Sequence, residues 1–306
     1  MNHAAPNSSA LVHELLAEQH PDLAGLPVEP VARGWDNELY RVGDEWALRL
    51  PHREQAVPLL LNELMWLPRL APRLPLPTPV PVRRGEPGCG HPWPWSVVPW
   101  LPGRSALLDP PTDPAQAART LGGFFAALHR PAPGDAPTNP SRGGPLHGRL
   151  PMLHERLELS RQGRNAGLEH LAVGETAVDL SEVEALVAAC CLAPRWSAPP
   201  VWIHGDPHAH NILVDAGRIS AVIDFGDLTS GDPATDLGEL HSLIPPEHLP
   251  DFAAAYGVPL SDPLWLRAAG WAIYLGVAIL GGPDATIRPM GRTLLDRGLA
   301  QARRLR

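Results

Sequence analysis

The stretch VWIHGDPHAHNILVDAGRISAVIDFGD, from Val201 to Asp227, constrains this chain more than any other. It sets two short apolar runs, Asn211 to Val214 and Ile219 to Ile223, on either side of Asp215-Ala216-Gly217-Arg218. That four-residue segment has turn chemistry, because glycine takes positive φ without steric cost. The two runs therefore read as a hairpin. Pairing Val214 with Ile219 puts Asn211 opposite Val222, with Asp224 as its diagonal neighbour about 7–8 Å away. Two oxygen-bearing side chains so placed can share a hard cation. Magnesium takes one or two protein oxygens and completes its shell with phosphate and water. Asp206, just before the hairpin, is placed to accept a proton from an attacking hydroxyl.

The spacing from Asp206 to Asn211 matches the H-x-D-x-x-x-x-N catalytic loop of kinases. Asp224-Phe225-Gly226 matches their magnesium loop. With H-G-D in place of H-R-D, the chain resembles the aminoglycoside phosphotransferase family of small-molecule kinases. The resemblance extends over nearly the whole chain and is most specific from Val201 to Leu237. It implies an α+β, protein-kinase-like bilobal fold: a small antiparallel β-rich N-lobe with one helix, and a larger, mainly helical C-lobe. It also implies magnesium-dependent transfer of the γ-phosphoryl group of ATP or GTP to a hydroxyl of a small molecule. The acceptors it suggests are aminoglycosides or other antibiotics such as macrolides. The family's breadth also admits choline, homoserine or sugar kinases.

Composition agrees with a packed enzyme. Hydrophobic residues make up 44% of 306, enough for a sizeable core. A net charge of -8 argues against a nucleic-acid partner, which needs a basic face. All 25 basic side chains other than histidine are arginine. The phosphate-binding lysine usual in kinases therefore cannot exist here. Cys89, Cys190 and Cys191 lack metal-ligand spacing and suit a reducing cytoplasm. The first ten residues show no export signal. The apolar run from Trp271 to Leu280 is too short to span a bilayer and reads as a buried helix, so no membrane partner is expected.

Along the chain, helices are expected over Ala10–Gln19, Leu59–Leu70, Ala115–His129, Met152–Gln162 and Leu180–Leu192. Strands are expected at Leu39–Val42, Trp46–Leu50 and Trp95–Val98, with proline-broken Leu76–Val82 as a connector or edge strand. The divisions fall at 1–95 for the nucleotide-binding lobe, 96–103 for the interlobe hinge and 104–306 for the helical lobe.

The resemblance assigns roles residue by residue. Asp206 is the catalytic residue, and Asn211 and Asp224 are the metal ligands. Arg49 stands at the third-strand lysine position, where it would hold the α- and β-phosphates, with Glu63 as its ion-pair partner. Arginine binds phosphate bidentately, so the exchange is chemically sound, though its reach differs from that of lysine. Val31 to Asn37 resembles the nucleotide-covering loop with a single glycine, Gly34, and with Asn37 at a common family position. The hinge would use Val98 and its neighbours. Pro99 has no N–H, so the donor falls to Trp100 or Leu101. Asp227, Glu239, Trp271 and Tyr274 are candidates for the acceptor side, and Asp236 for capping a helix or tying down the catalytic loop. Two other readings stand beside this one: a nucleotide-binding protein without transferase activity, and a metal-dependent hydrolase built on His204, His208 and His210.

Overall fold

A computed structural model describes residues 8–164, 168 and 178–306. The extreme N-terminus, read above for an export signal, lies outside the described residues. The chain forms two compact units. The first comprises Met1–Pro102 together with Ala221–Leu228, and the second Gly103–Ser220 and Thr229–Arg306. The short returning segment carries Asp224, which the sequence divisions place in the helical lobe.

The first unit is a five-stranded antiparallel sheet with helices. Helix α1 (Ser9–Gln19) starts where the Ser8 hydroxyl accepts the Leu11 N–H at 3.2 Å. Val12, Leu15 and Leu16 recur at helical spacing and are buried against Tyr40, Val42, Leu48, Leu50, Trp95 and Val97. The strands are β1 (Val28–Arg33), β2 (Asn37–Val42), β3 (Trp46–Pro51), β4 (Arg83–Gly85) and β5 (Trp95–Pro99), in the order β1-β2-β3-β5-β4. Burial alternates along β2, with Glu38, Tyr40 and Val42 on the inner face. Helix α2 (Ala56–Leu70) follows β3 and buries Glu63.

Of the two readings of Leu76–Val82, connector and edge strand, the structure shows the connector; the strand β4, at one edge of the sheet, begins immediately after it. Pro75, Pro77, Pro79 and Pro81 remove every second donor, which no ladder tolerates. Both helices expected along this stretch are present, so among the described residues the unit has two α-helices where the bilobal architecture suggested one.

The second unit is mainly helical: α3 (Pro114–Leu128), α4 (Leu150–Arg161), α5 (Leu180–Cys191), α6 (Ala234–Glu239), α7 (Leu249–Tyr256), α8 (Pro263–Leu280) and α9 (Arg288–Leu305). Helix α8 is the packing centre and touches α4, α5, α6 and α9. It is longer than the sequence suggests, long and apolar enough to cross a membrane by length and composition. However, 78% of it is buried within the protein, as befits a core helix. Short strands frame the segment from His204 to Asn211. β7 (Val201–Ile203) pairs with β10 (Thr229–Gly231), and β6 (Arg104–Ser105) pairs with β8 (Ile212–Asp215), beside β9 (Arg218–Val222). Asn211 is not a strand residue as expected; it closes a 3-10 turn, Ala209–Asn211, ahead of β8.

Candidate active site

In the second unit the chain from His204 to Asn211 leaves β7 and enters β8. Its backbone is tied at both ends. Asp236, fully buried on α6, accepts the His204 N–H at 2.7 Å and the Gly205 N–H at 2.9 Å. It thus ties down the loop rather than capping α6, where Asp232 accepts the Ala234 N–H instead. His129 contacts the same carboxylate through Nε2 at 3.1 Å, and its Nδ1 lies 2.8 Å from the Tyr256 hydroxyl. Burial and the nearby carboxylates push the Tyr256 phenol well above its ordinary range, so it remains a donor. At the far end Asn211 donates from Nδ2 to the Asp206 carbonyl at 2.9 Å, and the Ala209 N–H reaches the Ser242 hydroxyl at 2.8 Å.

The loop presents the Asp206 carboxylate, about a quarter exposed at 27%. Arg142 donates from Nη2 to its Oδ1 at 2.6 Å, and His208 Nε2 lies 3.3 Å from Oδ2. Burial opposes the charge, but Arg142 and His208 outweigh it and hold Asp206 well below the usual carboxylate range. Asp206 is therefore ionised throughout the working pH range. Arg142 also reaches Glu239 Oε1 at 3.3 Å. Burial, then the negative charge of Asp206, pushes the Glu239 carboxyl well above its ordinary value.

In the first unit the central residue is Arg49, on β3 and 8% exposed. Its Nη1 donates to both carboxylate oxygens of Glu63, and its Nη2 to Asp224 Oδ1 at 3.0 Å. Burial opposes the guanidinium charge, but Glu63 and Asp224 together raise its pKa. Asp224 adopts a left-handed conformation, φ +62°, which aspartate tolerates better than most residues. Its side chain remains half-exposed at 52%.

The segment read as a nucleotide-covering loop is shorter than expected. Val31–Arg33 already belongs to β1, and only Gly34-Trp35-Asp36 turns. The turn is fastened to the end of β3: the Gly34 N–H donates to Asn37 O at 2.9 Å, the His52 N–H donates to Asp36 O at 3.1 Å, and Arg53 Nε donates to Asp36 Oδ1 at 2.7 Å. Arg53 also covers the exposed Trp35 ring. Asn37 Oδ1 is buried with no hydrogen-bond partner among the described residues.

The hinge expectation needs one correction. The Trp100 N–H is already given to Glu45 O at 2.7 Å, because β5 continues its pairing with the β2–β3 turn. Of the two predicted donors, Leu101 is left. Val98 is buried on β5 opposite Ala47.

Of the acceptor-side candidates, Trp271 and Tyr274 are core residues of α8, 1% and 7% exposed, with the Tyr274 hydroxyl against Met152 Sδ. Glu239 is also buried, and Asp227 sits half-buried in the turn after Asp224. Three residues of this region escaped the sequence reading: Arg142, His129 and Thr235.

Asp224, in the first unit, offers a carboxylate oxygen, and Asn211, in the second, an amide oxygen, each a hard donor of the kind magnesium takes. Asn211 spends Nδ2 on Asp206, so its Oδ1 is the atom it has for a cation. The three histidines do not converge. The His204 ring accepts the Asp206 N–H, His208 faces the Asp206 carboxylate, and His210 turns to the Ser105 hydroxyl. Among the described residues, no group of three or more His, Cys, Asp or Glu could hold a metal ion.

The model of the phosphotransferase enzyme family matches residues 27–271. Among solved structures, the GDP complex of wild-type aminoglycoside 2'-phosphotransferase-IIIa superposes with a TM-score of 0.70 at 20% identity, covering 96% of this chain and 99% of that one. Macrolide 2'-phosphotransferase MphH from Brachybacterium faecium gives 0.59 at 21%, over 95% and 98%. The streptomycin-ATP-APH(2")-IIa ternary complex gives 0.60 at 17%, over 98% and 97%. At these identities the likeness is one of fold. No curated protein matches the chain in sequence.

Proposed function

The chain belongs to the phosphotransferase enzyme family, and from that premise we propose that it moves the γ-phosphoryl group of ATP or GTP to a hydroxyl of a small antibiotic-type molecule, an aminoglycoside or a macrolide. The observation that carries this reading is the catalytic loop. Its backbone is fixed by Asp236 and Asn211, and it presents one ionised carboxylate, Asp206.

Asp206 accepts a hydrogen bond from the acceptor hydroxyl and aims its oxygen at the phosphorus. So weak a base takes the proton late, as the new P–O bond forms, which suits a loose transition state. Arg49 holds the non-transferred phosphates, with its guanidinium plane set by Glu63 and Asp224. Leu101 donates to the base from the hinge, and the turn at Gly34 covers the phosphates. Asn211 and Asp224 would hold magnesium, which when bound neutralises charge on the phosphate oxygens. The chain's own contribution is positioning plus electrostatics. The solved relatives support the donor and acceptor classes, since their complexes contain GDP, ATP, kanamycin or streptomycin.

The test is coupled nucleoside-diphosphate release with magnesium, using ATP and GTP separately, against aminoglycosides, macrolides and small metabolic alcohols. Release stimulated by one antibiotic class is the expected result. No release, with no nucleotide-induced rise in melting temperature, would reject the reading.

A further inference from the structure

Both oxygens of the Asp206 carboxylate face a basic side chain, Arg142 at 2.6 Å and His208 at 3.3 Å. Resting on the reading of Asp206 as the group that orients the acceptor hydroxyl, we propose that Arg142 is a positioning residue, an arm from the proline-rich loop before α4 that holds Asp206 in its working rotamer.

The arm is anchored to the elements that flank the catalytic loop. Gly143, next to Arg142, takes φ +69°. Its N–H donates to the Thr235 hydroxyl at 3.2 Å, and its carbonyl accepts the Asp232 N–H at 2.9 Å. Upstream, the Pro137 carbonyl accepts the Ser230 N–H at 3.0 Å and the Thr229 hydroxyl at 2.7 Å. The loop thus lies along β10 and the start of α6. Close approach there requires Gly231, since a Cβ at that position would stand 2.3 Å from the Gly143 carbonyl oxygen. Asp232 is in turn held by Arg267 through a buried ion pair at 2.8 Å.

The side chain is held as firmly as its backbone. One guanidinium nitrogen goes to Asp206 and another to Glu239, which is 2% exposed. A planar fork fixed on a buried carboxyl cannot drift as a lysine would. Exposed ion pairs contribute little because both partners move freely. Arg142, at 19% side-chain exposure, is not of that kind. Glu239 therefore serves the site from beneath: it steadies Arg142, which steadies Asp206.

The test compares wild type with Arg142→Ala, Arg142→Lys and Gly231→Ala. Arg142→Ala is expected to lower kcat by about 10- to 100-fold, the scale of a misplaced reacting group. Nucleotide KM should stay within about twofold, because transition-state geometry is lost and ground-state binding is not. Added guanidinium ion should restore part of the Arg142→Ala rate and leave wild type unaffected. Arg142→Lys should fall between the two. Gly231→Ala, which displaces the loop without touching Asp206, should reproduce the kcat loss. A crystal structure of Arg142→Ala should show Asp206 turned from its wild-type rotamer. Unchanged kcat in Arg142→Ala, or an unchanged Asp206 rotamer in that crystal, would overturn the proposal. A wild-type protein that transfers phosphate to no acceptor would reject the proposed function instead, and the crystal would still decide the rotamer.

Discussion

Arg49 bridges Glu63 and Asp224, one nitrogen to each carboxylate. A lysine could approach one of them as a point charge but could not span both in a plane. Arg49→Ala is therefore expected to do two separable things. It removes a charge-assisted phosphate contact, raising nucleotide KM by about tenfold or more. It also leaves Glu63 buried without its counter-charge, at a cost of about 3–5 kcal/mol. Arg49→Lys should recover most of the stability and only part of the KM. Kinetics and thermal melts on both variants separate the effects; an unmoved KM would mean that another residue grips the phosphates.

Asp206→Asn keeps the shape of the loop and removes the charge. With Asp236 still fixing the His204 and Gly205 amides, nucleotide binding should be nearly intact while kcat falls by about 10²–10⁴-fold, the range for a positioned proton acceptor. Nucleotide-induced shifts in melting temperature and steady-state kinetics report the two quantities. Turnover at the wild-type rate would end the assignment.

Much of the fold was legible because its signals are local. Period-two burial at Leu39–Val42, the glycine turn after it and the apolar face of Leu59–Leu70 specify strand, hairpin and helix without tertiary help. Errors arose where context overrode local chemistry. Val31 to Arg33 read as part of a loop, but they belong to β1, an edge strand, where a proline such as Pro30 is tolerated. Trp100 looked free to donate to a ligand, but Glu45 takes its amide across the sheet. At the site, Asp206, Asn211 and Asp224 stand in motifs with fixed spacing, and Arg49 and Glu63 follow from their places on the third strand and the helix after it. Arg142 lies in none, and its contact with Asp206 spans 64 residues from an aperiodic proline-rich loop. Its only sequence signal is the Gly143-Gly144 pair after it, which permits a sharp turn.

Asp236 should be the most costly single loss in the second unit. Its carboxylate satisfies two buried backbone donors and the His129 ring. Asp236→Ala orphans all three, and each unsatisfied buried donor costs about 1–3 kcal/mol. A marked fall in denaturation midpoint is expected, with loss of activity even in the folded fraction. Loss of activity at wild-type stability would contradict this account.

The β8–β9 turn holds a correctable strain. Ala216 has φ +47° and Gly217 φ +76°, the two-residue geometry that favours asparagine or glycine at its first position. Alanine there costs about 1–2 kcal/mol over a residue free to take positive φ. Ala216→Gly or Ala216→Asn should raise the denaturant midpoint without altering kcat. A lower midpoint for both would show that the turn is not strained.

Glu239 ties stability to pH. Burial, then the charge on Asp206, keeps its carboxyl protonated well above the ordinary carboxylate range. The folded protein therefore holds a proton that the unfolded chain releases in the ordinary carboxylate range. The stability this proton supplies is complete below that range and is lost as pH rises toward the folded value. Glutamine in its place keeps the volume and hydrogen-bonding capacity but cannot titrate. Melting temperatures of wild type and Glu239→Gln across mildly acidic to mildly alkaline pH should diverge, with the variant gaining on wild type as pH rises. A constant difference across that range would mean that Glu239 is ionised in the folded protein. Arg142 would then be shared between two carboxylates rather than committed to Asp206.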